Sequence, residues 1–468
     1  MPLPCPVRRR ARRSARVAAT TTAVLLSLTA AAVPAQATPA PAPAPAPAPT
    51  TAPGAHGART TAAPLHLDRK ALDERLAALH KAGMYGVYAA VRDGRDAWRG
   101  AAGVADIATN RPVQPQMQQR IGSITKAFTS VAILQQVAAG RIDLDAPLAR
   151  YLPDLVPGER GRQITVRMLL NHTSGIADYI PGAFPSLLKG STKSLDDNRY
   201  RHFDPEELVR LGLQAPATGK PGEKWSYANT NYVIAGILLR KVTGENPEEY
   251  ITRNVIRKAG LKHTYFPTSA RISGPHSKMY ESMYGLITPA RDYSTYDVSW
   301  AGTAGALVAT MEDVNDFYRA LLTGKLLAPA QLRQMQTTVE AKDDKGNLLM
   351  HYGLGIAATD TACGRFWGHN GAVWGAETVT FSTPDGKRQM TYGFNRSKYQ
   401  QIDEEFHIKP SPIDTAAGEF AQKAMCGTNA PTTPANPAQP AAPQPPKNLP
   451  APLTRSLSAP PALISTNH

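Results

Sequence analysis

The sequence lacks the features of several common functional classes. It contains no His-Glu-x-x-His motif, so a metallohydrolase is a poorly supported interpretation, and we expect neither a metal nor another cofactor. No block of lysine and arginine is interleaved with aromatic residues, so nucleic acid is not expected as a partner. After residue 37 there is no run of about 18 apolar residues, and we expect no integral membrane segment once the leader described below is removed.

Cysteine is also scarce, with three residues in a chain of 468. Cys5 lies in the N-terminal leader, which leaves Cys363 and Cys426 in the mature protein. Two thiols in an oxidising compartment are expected to form a disulfide. The alternative is two buried free thiols, which a thiol titration of the denatured mature protein would detect.

The first 37 residues have the pattern of a secretory signal peptide. Six arginines precede an apolar stretch from Val17 to Val33, and Ala35-Gln-Ala37 is a small-x-small cleavage site. No close match to the twin-arginine motif follows, so the general secretion route fits better. Loss of these six arginines, which have no acidic counterpart, lowers the formal net charge from +15 to +9. We expect a secreted protein, and its basic charge would suit association with an anionic cell wall.

Two segments rich in Pro and Ala bound the globular region. Residues 38–64 predict an extended linker, and residues 428–468 predict a disordered or proteolytically trimmed tail. Between them, residues 65–427 are expected to form one catalytic region, which we expect to be monomeric. The predicted elements follow in the order helix, strands, a long helical middle, strands and helix. This order predicts an α+β fold with an antiparallel sheet flanked by helices (about 65–120 and 350–427) and a largely helical inserted domain (about 121–349).

Periodicity and turn residues predict the main elements within this region. Helices are expected at 68–81, 124–139, 205–213, 232–242, 245–260, 310–324 and 412–425. Strands are expected at 85–91, 97–104, 365–374, 378–382 and 388–394.

The stretch Arg120-Ile-Gly-Ser-Ile-Thr-Lys-Ala-Phe128 places a serine three residues before a lysine. Because residues three apart on a helix share a face, Ser123 and Lys126 are expected to be neighbours at the start of a largely apolar helix. A hydroxyl and an amine held together in a dry site are the minimal machinery for a serine nucleophile and its base. The alternative is an N-cap serine followed by a lysine that reaches the surface.

Ser-x-x-Lys is a weak motif alone, and the chain contains a second one, Ser186-Leu-Leu-Lys189. That copy lies in a segment with Pro181, Pro185 and Gly190 around it, which predicts a loop. We therefore favour Ser123 as the candidate nucleophile.

A second candidate element is Tyr227-Ala-Asn229, the only Tyr-x-Asn in the chain, in a loop that enters a helix. A phenol near a lysine would lose its proton more easily and relay it, and the amide would hold a substrate carbonyl. A buried tyrosine with an N-cap asparagine is the alternative.

A third candidate element is Gly368-His-Asn-Gly371, which precedes Ala372-Val-Trp-Gly375 in the predicted strand region. A strand edge rich in glycine, including Gly371, lets a substrate backbone lie against it, and His369 would supply a donor or a positive charge there. A satisfied strand histidine is the alternative. We expect another histidine, His172, to hold its loop by hydrogen bonding rather than to act as a base.

Taken together, these motifs resemble the penicillin-recognising serine hydrolases, which include class C β-lactamases, secreted D-alanyl-D-alanine carboxypeptidases and related esterases. The resemblance spans about residues 65–427 and is greatest to the secreted carboxypeptidases. It is also carried by four segments: Asn171-His-Thr-Ser-Gly175, Pro221-Gly-x-x-Trp-Ser-Tyr-Ala-Asn229, Ser299-Trp-Ala-Gly-Thr-Ala-Gly305 and Tyr352-Gly-Leu-Gly355.

The resemblance implies a role for each candidate residue. Ser123 would be the nucleophile and Lys126 its partner base, while Tyr227 would activate the serine or protonate the leaving group. The groups implied in substrate binding are the Asn229 amide, His369, the Gly371 strand, Trp300 and an oxyanion hole formed by the N–H groups of Ser123 and Ala372. A disulfide between Cys363 and Cys426 also matches the carboxypeptidase branch. Which of Lys126 and Tyr227 accepts the first proton stays open.

Two departures from the family pattern bear on the substrate. Asn370 stands where relatives carry Thr or Ser, and Ile356-Ala-Ala-Thr-Asp360 lacks the arginine that pairs with a terminal carboxylate in the carboxypeptidases; Arg365 is a candidate replacement. We expect a secreted serine hydrolase that forms an acyl-enzyme with a small-molecule or peptide substrate, first of all D-Ala-D-Ala in cell-wall peptides. An esterase or a β-lactamase-like enzyme is the alternative, and a non-catalytic penicillin- or wall-binding protein is less well supported.

Overall fold

The computed structural model describes residues 67–343, 346–403 and 408–427. The predicted signal peptide, linker and C-terminal tail lie outside these residues. None of the helices in the described ranges combines the length and the apolar character needed to cross a membrane.

A ten-stranded antiparallel sheet, counted over the described residues, organises the fold. The two ends of the chain meet in it, because strand Gly86–Asp93 pairs with strand Arg388–Phe394 in antiparallel register, Val87 opposite Phe394. In spatial order the nine strands of the main path are Arg111–Pro112, Asp96–Asp106, Gly86–Asp93, Arg388–Phe394, Ala376–Ser382, Gly364–Gly368, Ala357–Thr361, Leu348–Tyr352 and Val339–Lys342, with Gly371–Val373 paired off this path to Ala376–Ser382. The predicted antiparallel sheet is confirmed.

Helices cover both faces of this sheet. The first and last helices, Arg69–Lys81 and Pro412–Cys426, share one apolar cluster with one face, in which Leu76 and Phe420 are buried. The opposite face packs against helix Met311–Leu322, and beyond it lies the larger cluster around helix Thr125–Ala138. Ser411 caps the last helix through a capping box with Asp414.

The middle of the chain is mainly helical, as predicted. Its longer helices are Thr125–Ala138, Pro205–Gln214, Asn229–Thr243, Met311–Leu322 and Pro329–Gln336. Its shorter helical segments are Gly122–Ile124, Leu148–Arg150, Gly158–Gln163, Val166–Leu170, Ile180–Ala183, Pro185–Lys189, Lys193–Asp197, Pro247–Ile251, Thr252–Ile256, Arg257–Ala259, Met283–Gly285 and Gly302–Gly305. Short strand pairs also occur: Gln119–Arg120 with Val308–Ala309, Tyr280–Glu281 with Arg291–Asp292 and Arg396–Ser397, and Gln401–Ile402 with Ile408–Lys409.

Several strands differ from the sequence-based expectation, and Leu348–Tyr352 and Ala357–Thr361 were not among those expected. Strand Val339–Lys342 joins the sheet from within the segment predicted to be helical, and it pairs with Leu348–Tyr352. The single strand expected at 365–374 is two strands, Gly364–Gly368 and Gly371–Val373, which pair with the same neighbour, Ala376–Ser382. The second strand leaves the main path because Gly371 packs directly on the backbone that precedes Ser123, where a Cβ would lie 1.9 Å from the Ile121 carbonyl oxygen.

The disulfide between Cys363 and Cys426 is confirmed, with the two Cα atoms 5.7 Å apart. It joins the turn between strands Ala357–Thr361 and Gly364–Gly368 to the last residue of the final helix.

Candidate active site

Ser123 and Lys126 lie where the sheet meets the helical middle. Ser123 is in the short helical turn Gly122–Ile124, and Lys126 is in the first turn of helix Thr125–Ala138. The Lys126 Nζ lies 3.0 Å from the Ser123 Oγ. Ser123 is 8 % exposed and Lys126 is fully buried, so the lysine does not reach the surface as the alternative interpretation required.

The other Ser-x-x-Lys copy has a different environment. The Ser186 hydroxyl donates to the Ser191 carbonyl at 2.7 Å and lies 2.7 Å from the Ser194 hydroxyl. Its segment is the short helical turn Pro185–Lys189, which ends at Gly190. These hydrogen bonds give Ser186 a local structural role.

The contacts of Lys126 suit a neutral amine. Besides Ser123, its Nζ lies 2.7 Å from the Asn229 Oδ1 and 2.8 Å from the Ala304 carbonyl oxygen, and both of these atoms only accept hydrogen bonds. A neutral amine has two N–H groups for these acceptors and one lone pair for the Ser123 hydroxyl. Burial lowers the pKa of Lys126 to about 7, although the nearby charge of Asp178 opposes the shift. Near neutral pH a large fraction of Lys126 is therefore the unprotonated base.

Asp178 fixes the orientation of the Asn229 amide. Its Oδ2 accepts the backbone N–H of Asn229 at 2.7 Å and the Nδ2–H at 2.9 Å, which turns Oδ1 towards Lys126. Asn229 is the first residue of helix Asn229–Thr243, and no side chain caps that helix, so the N-cap alternative is excluded. One amide N–H of Asn229 remains for a substrate carbonyl.

Tyr227 lies beside this pair as a protonated phenol. The Lys126 Nζ is 4.9 Å from the centre of the Tyr227 ring, and the Tyr227 hydroxyl is buried beside the Ser123 hydroxyl. Burial raises the pKa of Tyr227 well above its ordinary value, although the nearby Ser123 hydroxyl opposes the shift. The expectation that this phenol would lose its proton more easily is therefore wrong for the unliganded site.

His172 holds the segment that carries Tyr227. Its carbonyl accepts the Ser226 N–H at 2.8 Å, and its Nδ1 accepts the Ala228 N–H at 3.3 Å. Burial lowers the pKa of His172 well below its ordinary value, so the ring is neutral. The prediction that His172 holds a loop by hydrogen bonding is confirmed.

The backbone beside Ser123 is in direct contact with strand Gly371–Val373. A Cβ added at Gly122 would lie 2.7 Å from the Ala372 nitrogen, and one at Gly371 would lie 3.1 Å from the Ser123 nitrogen. Only glycine permits this approach. The N–H groups of Ser123 and Ala372 therefore lie close together next to the hydroxyl, which is the arrangement an oxyanion hole requires.

His369 does not supply a positive charge. It is 1 % exposed, its Nε2 lies 2.9 Å from the Tyr352 hydroxyl, and its Nδ1 lies 2.5 Å from the Asn370 carbonyl oxygen. Burial lowers the pKa of His369 to about 3, so the ring is neutral and both nitrogens have protein partners. The expectation that His369 supplies a donor or a positive charge is therefore wrong. The alternative, a strand histidine whose ring nitrogens are hydrogen-bonded within the protein, is the observed arrangement.

Arg365 does not replace the missing carboxylate-binding arginine. Its guanidinium binds both carboxylate oxygens of Asp360 at 2.7 Å, and 43 % of the side chain is exposed. The candidate replacement is wrong, because the adjacent strand offers Arg365 a bidentate partner on the surface.

An aromatic cleft opens beside Ser123. It brings Ser123, Asn229, Ala372 and Trp300 together, as the sequence predicted. The other side chains in its wall include Tyr179, Trp374 and Lys398. The Trp300 and Trp374 rings are 5.1 Å apart, and the Tyr179 hydroxyl donates to the Trp300 carbonyl.

The sequence-based prediction did not include four residues of this site. Trp374 lies in a stretch that was noted only for its glycines, and Asp178 follows the His-Thr-Ser-Gly motif at close range. Tyr179 and Lys398 belong to no motif that would have indicated them. In the described ranges, no group of three or more His, Cys, Asp or Glu side chains is arranged to hold a metal ion.

Comparison with known proteins agrees with this geometry. The Beta-lactamase family model matches residues 69–406. The putative penicillin-binding protein PbpX of Bacillus subtilis is 28 % identical over 262 residues, which cover 55 % of this chain and 60 % of that protein. The D-aminopeptidase of Brucella anthropi is 27 % identical over 321 residues, which cover 68 % of this chain and 57 % of that protein. The esterase EstB of Burkholderia gladioli is 31 % identical over 195 residues, which cover 40 % of this chain and 49 % of that protein.

Solved structures extend the comparison over a larger part of the chain. A D-stereospecific amidohydrolase from Streptomyces sp. is 35 % identical with a TM-score of 0.67, covering 77 % of this chain and 99 % of that one. A D-amino acid amidase from Ochrobactrum anthropi has a TM-score of 0.65 at 22 % identity, with coverage of 76 % and 97 %, and shows the same fold. This chain spans only about half to three fifths of the curated relatives named above. The family match covers more than half of this chain, and the protein belongs to the Beta-lactamase family.

Proposed function

We propose that the protein hydrolyses amide bonds of small D-amino-acyl compounds through an acyl-enzyme on Ser123. The observation that carries this proposal is the environment of Lys126, a buried amine that lies 3.0 Å from the Ser123 hydroxyl and whose hydrogen-bond contacts are all with uncharged groups. This arrangement supports Lys126 as the base that accepts the first proton.

In the proposed acylation, the Ser123 Oγ attacks the substrate carbonyl carbon and its proton moves to the Lys126 Nζ. The developing oxyanion accepts hydrogen bonds from the N–H groups of Ser123 and Ala372. The C–N bond then breaks, and the leaving nitrogen takes a proton from the Tyr227 hydroxyl, which Lys126 restores. A water molecule reverses this sequence at the ester and releases the acid.

Three observations support an amide of a D-amino acid as the substrate. The Streptomyces neighbour, at 35 % identity, is a D-stereospecific amidohydrolase. The relative from Brucella anthropi is a D-aminopeptidase. On the side of the site where carboxypeptidases bind a terminal carboxylate, His369 is neutral and Arg365 is engaged with Asp360. A leaving group without a carboxylate suits this environment.

A D-alanyl-D-alanine carboxypeptidase is the second candidate. The disulfide between Cys363 and Cys426 favours it, because the resemblance associates this disulfide with that branch. The neutral His369 and the engagement of Arg365 with Asp360 oppose it. An esterase activity of the same site stays compatible with the relative EstB, while a non-catalytic binding protein is not supported by the intact Ser123–Lys126 pair.

Intact-mass spectrometry after reaction with a fluorophosphonate and, separately, a β-lactam tests the nucleophile. We expect adducts on the wild type and on the matched variant Ser186→Ala, and none on Ser123→Ala. An adduct that persists on Ser123→Ala, or no adduct on the wild type, would overturn the mechanism.

Turnover of N-acetyl-D-alanine p-nitroanilide, its L enantiomer and a D-Ala-D-Ala peptide tests the substrate. We expect the D-anilide to be hydrolysed faster than either of the other compounds. Faster cleavage of the D-Ala-D-Ala peptide would favour the carboxypeptidase, and preference for the L enantiomer would overturn the substrate assignment.

We propose in addition that the protein is exported and acts outside the cell. The leader pattern and the disulfide support export. N-terminal sequencing of protein recovered from the culture medium is expected to give a chain that starts after Ala37, and an intact leader on cell-retained protein would contradict export.

A further inference from the structure

Lys398 forms part of the wall of the aromatic cleft, although no motif indicates it. It follows the short strand Arg396–Ser397, and 4 % of its side chain is exposed. The Nζ lies 4.9 Å from the centre of the Trp374 ring, a distance at which a cation is attracted to the ring face. A basic side chain therefore lies beside the indole in the same cleft as Ser123.

The hydrogen bonds of Lys398 leave donors unused. Its Nζ donates to the Glu281 Oε2 at 2.9 Å. Glu281 is fully buried, and the same oxygen also accepts the Gly375 N–H at 3.1 Å and the Ser397 hydroxyl at 2.6 Å. An ammonium group has three donors, and the described residues provide one hydrogen-bond acceptor for it. Two of its donors therefore have no acceptor among the described residues.

The backbone holds Lys398 in an uncommon conformation. Its φ is +48°, in the left-handed region that residues other than glycine rarely adopt. Its N–H donates to the Glu377 Oε1 at 2.8 Å, and its carbonyl accepts the Tyr284 N–H at 2.8 Å. These contacts fix the direction of the lysine, and such local strain is often found at functional sites.

The position of Lys398 identifies the part of the substrate that it faces. Along the chain, His369 and Trp374 lie on opposite sides of Ala372, whose N–H belongs to the proposed oxyanion hole. Tyr352, which begins Tyr352-Gly-Leu-Gly355, contacts His369, and the resemblance assigns that side to the leaving group. Lys398 contacts Trp374 on the other side. If the leaving group occupies the His369 side, the acyl portion of the substrate faces Lys398.

We propose that Lys398 binds a carboxylate on the acyl portion of the substrate, so that the enzyme prefers D-amino-acyl amides whose acyl group ends in an acid. This inference rests on the proposed function and specifies its substrate class. The unused N–H groups of the ammonium donate to the carboxylate, while Glu281 holds the lysine in place. Among the cleft-lining residues of the described chain, Lys398 is the one Lys, Arg or His. An acyl group with a free ammonium is disfavoured by repulsion.

A pair of substrates that differ in one group tests this inference. N-succinyl-D-alanine p-nitroanilide ends in a carboxylate, and the N-succinamoyl analogue ends in a neutral amide of nearly the same shape. We expect the wild type to show a kcat/KM ratio of about tenfold or more in favour of the succinyl substrate. In the double variant Lys398→Gln/Glu281→Gln, which removes both charges of the ion pair, we expect a ratio of about one. The control Lys387→Gln, at an exposed turn, is expected to keep the wild-type ratio.

The outcomes separate this inference from the proposed function. If the wild type hydrolyses neither compound, the proposed function fails. If it hydrolyses both with similar kcat/KM, or if the double variant keeps the preference, the Lys398 assignment fails and the proposed function stands. Fluorophosphonate labelling of Ser123 reports whether the double variant is folded. If it is not, a wild-type series with an N-β-alanyl substrate decides: the order succinyl, succinamoyl, β-alanyl supports the assignment, and any other order overturns it.

Discussion

Two buried lysines, one in contact with Ser123 and one in the wall of the cleft beside it, have different partners and different chemistry. Lys126 lies among a hydroxyl, an amide oxygen and a backbone carbonyl, and burial lowers its pKa to about 7. Lys398 is in an ion pair with the fully buried Glu281. The comparison teaches that burial alone does not assign a role to a lysine. Neutral acceptors favour a base that exchanges protons, and a carboxylate partner favours a fixed cation that binds anions.

The largest expected effect is the loss of the base. Lys126→Gln removes the lone pair that accepts the serine proton, and we expect the acylation rate of Ser123 to fall by about 10³-fold, within the 10²- to 10⁴-fold range typical of general bases. Stopped-flow acylation with the N-acetyl-D-alanine anilide measures this rate. The matched variant Lys189→Gln, in the other Ser-x-x-Lys copy, is expected to leave it unchanged. A Lys126→Gln enzyme with more than a tenth of the wild-type rate would contradict this role.

The comparison also predicts a difference in stability. Lys398→Met leaves the Glu281 carboxylate buried and unpaired, which is expected to lower the free energy of unfolding by about 3–5 kcal/mol. Lys126→Met leaves only neutral acceptors without a donor, at a cost of about 1–3 kcal/mol. Urea denaturation of both variants measures the difference. Glu281→Gln/Lys398→Met is expected to recover most of the loss, and equal losses in the two single variants would argue against the assigned difference.

The smallest expected effect is a shift in pH dependence. For an uncharged substrate, kcat/KM is expected to rise with pH through a limb near pH 7, because the unprotonated amine of Lys126 is the active form. The Asp178 carboxylate favours the ammonium form, so Asp178→Asn is expected to move this limb to lower pH. The same substitution removes the anchor of the Asn229 amide and is expected to lower the plateau about tenfold.

A pH–rate profile of the Asp178→Asn variant, with Asp197→Asn at an exposed position as the control, checks this result. A limb that stays in place or moves to higher pH would show that Asp178 does not act on the Lys126 charge.

Local sequence signals predicted the elements whose geometry depends on near neighbours. The three-residue spacing of Ser123 and Lys126 placed both side chains on one face, and His172 holds its loop through contacts with Ser226 and Ala228. The order of helices and strands also predicted that the two ends of the chain share one sheet. The break within residues 365–374 was not predictable, because it depends on the packing of Gly371 against Ile121.

The sequence by itself determined the family, the α+β fold, the nucleophile candidate and the disulfide partners, because these depend on short motifs, on the order of elements and on having only two cysteines after residue 37. The tertiary structure alone decided the protonation states. Burial keeps Tyr227 protonated, makes His369 neutral and lowers the pKa of Lys126, and burial depends on residues far away in the chain. It also brought Asp178 and Lys398 to the site, since the fold sets their distance from Ser123 and sequence separation does not.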